Sequence, residues 1–407
     1  MTVEILATIE SVEIEKTTAI YPFRGKKNIK EFAMSPSKST DGRIRYAVVG
    51  LGYIAQVAVL PSFKHASKNS ELSALVSDDP EKLQSLSNEY SVQRTANYEQ
   101  YADLLRSGEV DAVYIALPNH LHAEYTIRAA EAGIHVLCEK PMAVTSQECI
   151  RMIEAAEQNG IKLMIAYRLH FEKANLKAVE IVKNGKLGVS RFFDSTHSMQ
   201  VREGNVRLVD ENMGGGPVYD IGIYCLNAAR YLFRAEPNEV FAFSATGESA
   251  RFKDANEMTS AVLRFPDERL ATFTCSFGAA DTSMYKVVGT EGDLRVEPAF
   301  EYAGDLIHHL TLNGKTRKRT FKKRDQFAPE IEYFSNCILR NKTPEPSGEE
   351  GLIDVHIIEA ILESAREGRP VSIAPVRKSR RPEPDQEISK PGIEKPELIN
   401  AEAASRE

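Results

Sequence analysis

Residues 44–55 read Ile-Arg-Tyr-Ala-Val-Val-Gly-Leu-Gly-Tyr-Ile-Ala, an apolar run that ends at a pair of glycines. The spacing Gly-x-Gly-x-x-Ala is a form of the dinucleotide-binding fingerprint. In that motif Gly50 allows the tight turn, Gly52 lets the backbone approach a pyrophosphate, and Ala55 lets the helix pack closely on the strand. The phosphates then lie at the helix N-terminus, where free N–H groups favour an anion. Because the motif alone is weak, its meaning depends on the residues that follow.

Short apolar runs alternate with amphipathic segments as far as residue 167. The apolar runs are RIRYAVVG, ELSALVS, VDAVYIAL, IHVLCEK and KLMIAYR, and helical patterns begin at Gly52, Pro80, His122 and Ser146. Strands that alternate with helices form a parallel, doubly wound sheet with helices on both faces. We therefore predict an α/β, Rossmann-type NAD(P)-binding domain over residues 44–167.

From about Arg191 the pattern changes to runs in which apolar and polar residues alternate. These runs are RFFDSTHS, EVFAFSA, TSAVLRF, LATFTCSF, MYKVVGT, GDLRVEP and LIHHLTL. They predict a large open, mainly antiparallel sheet with one exposed face, and helical patterns at 171–183, 220–233, 326–340 and 348–367 cover the other. Residues 168–375 are therefore predicted to form an α+β domain for substrate binding and oligomerisation. An exposed apolar sheet face favours a homodimer or homotetramer.

Both ends of the chain have the composition of disordered segments. Residues 1–43 are polar and lysine-rich, and Met34 directly precedes a linker-like stretch, so translation starting at Met34 is one hypothesis. Residues 376–407 combine prolines with alternating charges and few large apolar side chains. We expect the first segment to be disordered and the second to be disordered or loosely draped.

Composition argues against several classes of partner. A net charge of −7 disfavours nucleic acid, which needs a basic face, and no apolar run approaches the roughly 20 residues of a membrane span. The five cysteines form no CxxC pair, which favours a reducing compartment. The N-terminus lacks a signal pattern, so we expect a cytoplasmic protein.

Two loops after predicted strands carry candidate ribose-binding residues. The first loop, Ser77-Asp78-Asp79-Pro80-Glu81-Lys82, follows the second strand. An aspartate there would bond the ribose of NAD, whereas Ser77 with Lys82 would hold the extra phosphate of NADP. Alternatively, the two aspartates only cap the next helix. Leu117-Pro-Asn119-His-Leu-His122 follows the third strand, and Asn119 and His122 would bond ribose or cap a helix. His120 and His122 have no nearby carboxylate or thiol partner, so no metal site is predicted.

Four segments in order resemble the Gfo/Idh/MocA oxidoreductase family, and its glucose-fructose oxidoreductase branch in particular. They are GLGYIAQVAVLPSF, DAVYIALPNHLHAEYTIRAAEAGIHVLCEKPMA, KLMIAYRLHF and GGGPVYDIGIYCLNAARYLF, which begin at Gly50, Asp111, Lys162 and Gly214. The resemblance covers about residues 43–373. It implies an NAD(P)-dependent enzyme that acts on a sugar or polyol.

The resemblance assigns catalytic roles to residues of two motifs. Lys140 in Glu139-Lys-Pro141 matches the substrate-orienting lysine beside the nicotinamide, and the Lys-Pro bond can be cis. The family motif Asp-x-Gly-x-His appears as Asp220-Ile-Gly-Ile-Tyr224, in which tyrosine replaces histidine. On a helix these two residues share a face, and Tyr224 becomes the candidate acid/base with Lys140 beside it.

The resemblance also implies how the cofactor is held. Ser77, Lys82 and Tyr98 match positions that hold the 2′-phosphate of NADP, whereas Asp78 replaces a small residue there and keeps NAD open. Arg168 matches a position near the nicotinamide. The predicted cofactor-binding residues are Gly50, Gly52, Tyr53, Ile54, Ser77, Lys82, Tyr98, Leu117, Asn119, His122, Glu139, Lys140 and Arg168.

The resulting hypothesis is hydride transfer between NADP and a sugar, with C1 of an aldose as the reacting carbon. Tyr224 takes the hydroxyl proton, Lys140 orients and polarises the substrate, and Asp220 holds a neighbouring hydroxyl. The loop 200–212, which contains Arg207, is expected to line the sugar pocket. An inositol-type or dihydrodiol dehydrogenase, or a regulator that binds NAD(P) without turnover, remains an alternative.

Overall fold

The computed structural model describes residues 42–376, 378 and 380–405. The extension predicted for residues 1–43 lies outside the described residues except for its last two. Among the described helices, none is both long and apolar enough to cross a membrane.

The first domain contains a six-stranded sheet whose neighbouring strands are all parallel. Its strands are β1 Ile44–Val49, β2 Ser70–Val76, β3 Arg94–Ala96, β4 Ala112–Ile115, β5 His135–Glu139 and β6 Leu163–Ala166. They are ordered β3-β2-β1-β4-β5-β6, so the order reverses at the junction between β1 and β4. Ligands of doubly wound sheets bind in the crevice beyond the carboxyl ends of the strands at such a junction. The predicted Rossmann-type fold is therefore confirmed.

Five α-helices belong to this domain, and local sequence signals fix the start of two of them. They are α1 Leu60–Ala66, α2 Pro80–Glu89, α3 Tyr101–Arg106, α4 His122–Glu131 and α5 Ser146–Gln158. The Asp79 side chain caps α2, and Thr145 forms a reciprocal capping box with Glu148 at α5. The helix predicted from Gly52 differs from expectation, since a π-helical turn, Ala55–Val59, precedes α1.

The second domain contains a nine-stranded sheet that is mainly antiparallel, as predicted. Its strands are β7 Ser190–Ser198, β8 Glu239–Ala245, β9 Met258–Phe265, β10 Arg269–Ser276, β11 Thr282–Gly289, β12 Gly292–Val296, β13 Leu306–Leu312, β14 Lys315–Phe321 and β15 Val371–Ser372. Their order is β14-β13-β12-β11-β7-β10-β9-β8-β15, and only β7 and β10 pair in parallel. Exposed and buried residues alternate along all of β9, so one sheet face is open to solvent.

Four further helices are α6 Lys173–Lys183, α7 Ile223–Phe233, α8 Phe327–Leu339 and α9 Gly348–Glu367. Helix α7 packs on β7 and β10, whereas α9 packs on β8 and also on α5 of the first domain. Helix α8 buries Ile331 and Phe334 in the apolar core around β1. These helices connect the two domains, and the boundary between residues 167 and 168 stays a prediction.

The described residues 380–405 run back over both domains. Glu383 forms ion pairs with Lys183 and Arg234 in the second domain, and Ile399 bonds to Gln56 in the first. A loosely draped course is one of the two alternatives expected for residues 376–407. Charged side chains of this segment pair with residues as many as 200 positions away in sequence, as Glu383 does with Lys183. A local sequence pattern cannot predict such pairs.

Candidate active site

A cleft of about 850 Å³ lies at the carboxyl ends of β1 and β4 and is lined by both domains. This volume is within the usual range for cofactor and ligand sites. Every residue predicted above as catalytic or cofactor-binding lines this one cleft. The structure thus brings the two sets of candidates together.

The two glycines of the first turn differ in what surrounds them. Gly50 has φ +93°, and a Cβ atom at this position would lie 2.6 Å from the carbonyl oxygen of Ala116. A Cβ atom at Gly52 would meet nothing within 4 Å, so this backbone borders open cleft. Glycine at 50 is therefore required by the fold, whereas the space at 52 fits a pyrophosphate.

The loop after β2 turns its aspartates away from the cleft. Asp79 accepts hydrogen bonds from the backbone N–H groups of Glu81 and Lys82, both at 3.0 Å, and so caps α2. Asp78 accepts a hydrogen bond from the backbone N–H of Tyr98 at 2.9 Å. Ser77, Lys82 and Tyr98 line the cleft, and among the described residues Asp78 and Asp79 do not. This arrangement fits a phosphate at the adenosine end better than it fits a ribose diol read by an aspartate.

Asn119 and His122 do not cap α4. Asn119 Nδ2 donates to the carbonyl oxygen of Gly214 at 2.7 Å, which joins the loop after β4 to the second domain. The two ring nitrogens of His122 each lie 2.8 Å from a carbonyl oxygen, those of Leu117 and Pro141. Neither ring nitrogen is left to bond a ribose, so the structure does not support this predicted contact. The ring instead ties the β4 loop to the Lys140-Pro141 turn.

Glu139, at the end of β5, belongs to a buried polar group that the sequence did not reveal. Tyr114 Oη lies 2.8 Å from Glu139 Oε1 and 3.0 Å from Glu330 Oε1. Burial raises the pKa of both carboxyl groups, and that of Glu330 lies well above its ordinary value. The Tyr114 hydroxyl thus bridges the two carboxyl groups, and the raised pKa of Glu330 favours its protonated form.

Lys140 is the second residue of the Glu-Lys-Pro motif, and its peptide bond to Pro141 is cis. Its ammonium donates to the backbone oxygen of Asp220 at 2.7 Å and to Asp220 Oδ1 at 3.1 Å. The same nitrogen lies 4.6 Å from the centre of the Tyr224 ring. Burial lowers the pKa of Lys140, but the charges of Asp220, Tyr224 and Glu139 and the hydrogen bond to Asp220 together more than offset this and leave the pKa raised. The lysine is therefore cationic at neutral pH.

Asp220 is occupied on both carboxylate oxygens. Arg207 Nε donates to Oδ2 at 2.6 Å, while Lys140 holds Oδ1. Burial raises the pKa of Asp220, yet the charges of Arg207 and Lys140 outweigh it and hold this pKa well below the usual range. Asp220 thus fixes two cations in the cleft. It lies in a π-helical turn, Val218–Gly222, so its spacing to Tyr224 in α7 is not that of a regular helix.

Tyr224 lies between two cations. Arg168 Nη2 donates to its hydroxyl at 3.3 Å, and the Arg168 guanidinium carbon is 5.1 Å from the ring centre. Arg168 is buried and is held by the carbonyl oxygen of Phe300 at 2.6 Å and by Gln326. Arg168, and not Lys140, is therefore the cation that contacts the phenol oxygen.

Several residues of the cleft were not predicted. His197 on β7 packs against Tyr224 with ring centres 5.6 Å apart, and burial lowers its pKa to about 4, so it is neutral. Other lining residues outside the predicted set are Phe300, Tyr302, Ala403, Ala404 and Ser405. The loop with Arg207 and the residue Asp220 were both expected near the substrate, but the ion pair between Arg207 and Asp220 was not. None of these residues has a local sequence signal.

Comparison with known proteins agrees with the two-domain architecture. A family model described as an oxidoreductase family with an NAD-binding Rossmann fold matches residues 44–167. The model of the GFO/IDH/MocA C-terminal domain matches residues 175–295.

Individual relatives align over most of both chains. The chain is 35% identical to D-xylose 1-dehydrogenase [NADP(+)] of Haloarcula marismortui, over 80% of this chain and 92% of that protein. The structure of aldose-aldose oxidoreductase from Caulobacter crescentus, complexed with glycerol, is 38% identical, with a TM-score of 0.77 over 81% of this chain and 99% of the other. A 3-ketoreductase from Actinomadura kijaniata in complex with NADP is 26% identical, with a TM-score of 0.72 over 79% of this chain and 98% of the other.

Proposed function

This chain belongs to the Gfo/Idh/MocA family of oxidoreductases, and we propose that it transfers hydride between NADP and C1 of an aldose. One observation carries the proposal. A tyrosine hydroxyl, contacted by a buried arginine and flanked by a lysine, faces a cleft that continues to a dinucleotide-type glycine turn. This is the arrangement that oxidation of a secondary alcohol requires, a proton acceptor beside a hydride acceptor.

Oxidation of the sugar breaks the C1–H bond and the O–H bond of the C1 hydroxyl. A bound nicotinamide would supply the acceptor for the hydride of C1. Tyr224 as phenolate takes the proton of the C1 hydroxyl, so the electrons of the O–H bond form the carbonyl of the lactone. Reduction uses the same groups in reverse, with neutral Tyr224 as the proton donor.

Two cations support the ionised tyrosine in different ways. Arg168 donates directly to the phenol oxygen, and a hydrogen bond to a charged group is stronger than one between neutral groups. Lys140 lies over the ring face, where it also reaches toward the position of a substrate hydroxyl. Asp220 orients Lys140 and Arg207, and its two oxygens are already occupied. We therefore assign Asp220 to positioning rather than to a direct hold on the sugar.

The cleft favours NADP over NAD. Ser77, Lys82 and Tyr98 line its adenosine end, and both neighbouring aspartates are turned toward backbone N–H groups. The xylose dehydrogenase and the 3-ketoreductase are likewise described with NADP.

An aldose is the substrate class that the relatives support, since their names specify D-xylose and aldose. An inositol-type or dihydrodiol dehydrogenase would use the same catalytic groups on another alcohol. A regulator without turnover would have no need of the acid/base residue, whereas here Lys140, Arg168 and Tyr224 converge in one cleft.

The open face of the nine-stranded sheet supports a homo-oligomer. Its outward side chains include Phe192, Phe243, Val262 and Leu270, which are between 43% and 63% exposed. Large apolar side chains exposed on one sheet face favour a partner, and a second copy of the chain presents the same face. A cytoplasmic location stays a prediction.

A panel of aldoses and polyols tests the proposal, with absorbance of the reduced cofactor as the readout. We expect at least one aldopyranose to reduce NADP⁺, with a higher kcat/KM for NADP⁺ than for NAD⁺. Tight NADPH binding without turnover of any sugar or polyol would instead support the regulator.

A further inference from the structure

Residues 399–405, termed the strap here, form part of the cleft wall. Ala403, Ala404 and Ser405 line the cleft, and Ala404 is buried. This end of the strap is fixed to the second domain, since the backbone N–H of Arg202 donates to the carbonyl oxygen of Ala404 at 2.9 Å. Ser405 forms an antiparallel bridge with Val201.

The other end of the strap is fixed to the helix that follows the glycine turn. The amide of Gln56 bonds to both backbone groups of Ile399, each at 2.8 Å. Gln56 Nε2 also donates to the carbonyl oxygen of Leu51 at 2.9 Å, and the side chain is only 1% exposed. One buried glutamine therefore connects the strap to the turn that borders the pyrophosphate position.

A third contact reaches the adenosine end of the cleft. Asn400 Nδ2 lies 3.1 Å from Asp79 Oδ2 and 2.9 Å from Glu81 Oε2. These carboxylates belong to the cap and first turn of α2, which also carries Lys82. The strap is thus attached at the glycine turn, at α2 and at the loop around Val201.

From these contacts we infer that the strap is part of the cofactor site and slows the release of NADP. The inference rests on the proposed function. The strap spans the cleft from the first domain to the second, so a dinucleotide in the cleft leaves only when these attachments open. The strap lies outside both segments matched by the family models, which end at residue 295.

The rate of NADPH release tests this inference. The chain has no tryptophan, so nicotinamide fluorescence can be followed with little background from the protein. NADPH bound to the full chain and to a chain ending at Leu398 is chased with excess NADP⁺. Loss of several hydrogen bonds predicts release from the shorter chain faster by about tenfold or more.

A point variant and a matched control accompany the truncation. Asn400→Ala removes the contacts to Asp79 and Glu81 and places alanine at a φ of 45°, which further weakens this attachment, so we expect release to be faster by about threefold. Glu397 is exposed and lies two residues before the strap, so the Glu397→Ala variant should release NADPH at the wild-type rate.

The outcomes separate the two proposals. If the full chain does not bind NADPH, the proposed function fails and the inference fails with it. If the full chain binds NADPH but the shortened chain and Asn400→Ala release it at the wild-type rate, only the role of the strap is overturned. If the shortened chain does not fold, Asn400→Ala alone decides, with unchanged release as the contradicting result.

Discussion

At the scale of single residues, the chemistry of the cleft depends on which atoms the cations contact. Asp220 holds the ammonium of Lys140 and the guanidinium of Arg207, and Arg168 donates to the hydroxyl of Tyr224. Each cation is therefore oriented by a protein group before substrate enters. Such preorganisation means that little reorientation is needed when charge develops on the tyrosine.

The Asp220→Asn variant tests this arrangement through stability. It leaves two partly buried cations without their carboxylate, so we expect the free energy of unfolding at pH 7 to fall by about 2 kcal/mol. A carboxyl group whose folded pKa is lowered stabilises the fold above its unfolded pKa, about 4, and loses this effect as pH falls through the folded value. The difference from wild type should therefore shrink below about pH 4.

Urea unfolding at pH 7 and pH 3 measures this difference. Asp305→Asn is the control, because Asp305 pairs with the largely exposed Lys322 and should change stability by less than about 0.5 kcal/mol. A loss for Asp220→Asn that is equally small, or that grows at low pH, would contradict the positioning role.

At the scale of elements, the turn between β1 and the following helix contains one glycine that the fold requires, Gly50, and one that we expect the cofactor to require, Gly52. An alanine at Gly50 would combine a positive φ with a 2.6 Å approach to a backbone oxygen, whereas an alanine at Gly52 would project into open cleft. The two glycines of one motif are therefore constrained by different neighbours.

The matched pair Gly50→Ala and Gly52→Ala makes this difference measurable. We expect Gly50→Ala to lower the free energy of unfolding by about 2 kcal/mol or more. Gly52→Ala should keep its stability within about 1 kcal/mol of wild type and weaken NADPH binding about tenfold or more. Thermal unfolding and NADPH fluorescence titration give the two quantities, and equal behaviour of the variants in both would refute the distinction.

The elements that carry contiguous motifs were predictable, and those that depend on distant partners were not. Short contiguous stretches of sequence are enough to predict the glycine turn, the Glu139-Lys-Pro141 motif and the alternation of strands and helices. Strand β3 has only three residues and gives too short a pattern. The pairing of Arg207 with Asp220, and that of Arg168 with Tyr224, needs the loops and helices of a folded chain.

At the scale of the whole molecule, residues 380–405 contact both domains. The proline and charge content of this last segment predicts disorder when its partners are unknown. The partners of this segment are charged and amide side chains on both domains, such as those of Lys183 and Gln56. Composition reports the cost of ordering a segment but not the contacts that offset it.

Substitution on the sheet face tests the proposed self-association. We expect Phe243→Lys combined with Leu270→Lys to lower the mass in sedimentation at micromolar concentration, because like charges would meet across the paired sheets. Leu339→Lys, on an exposed apolar residue at the end of α8, is the control and should keep the wild-type mass. A monomeric wild type would rule the proposal out.

The central claim is that Tyr224 accepts the proton when the sugar is oxidised. Its most direct test is the single-turnover rate of NADP⁺ reduction in Tyr224→Phe, with NADPH affinity measured on the same samples. We expect a rate about 100-fold lower or more, with NADPH affinity unchanged. A rate within a few fold of wild type would contradict it.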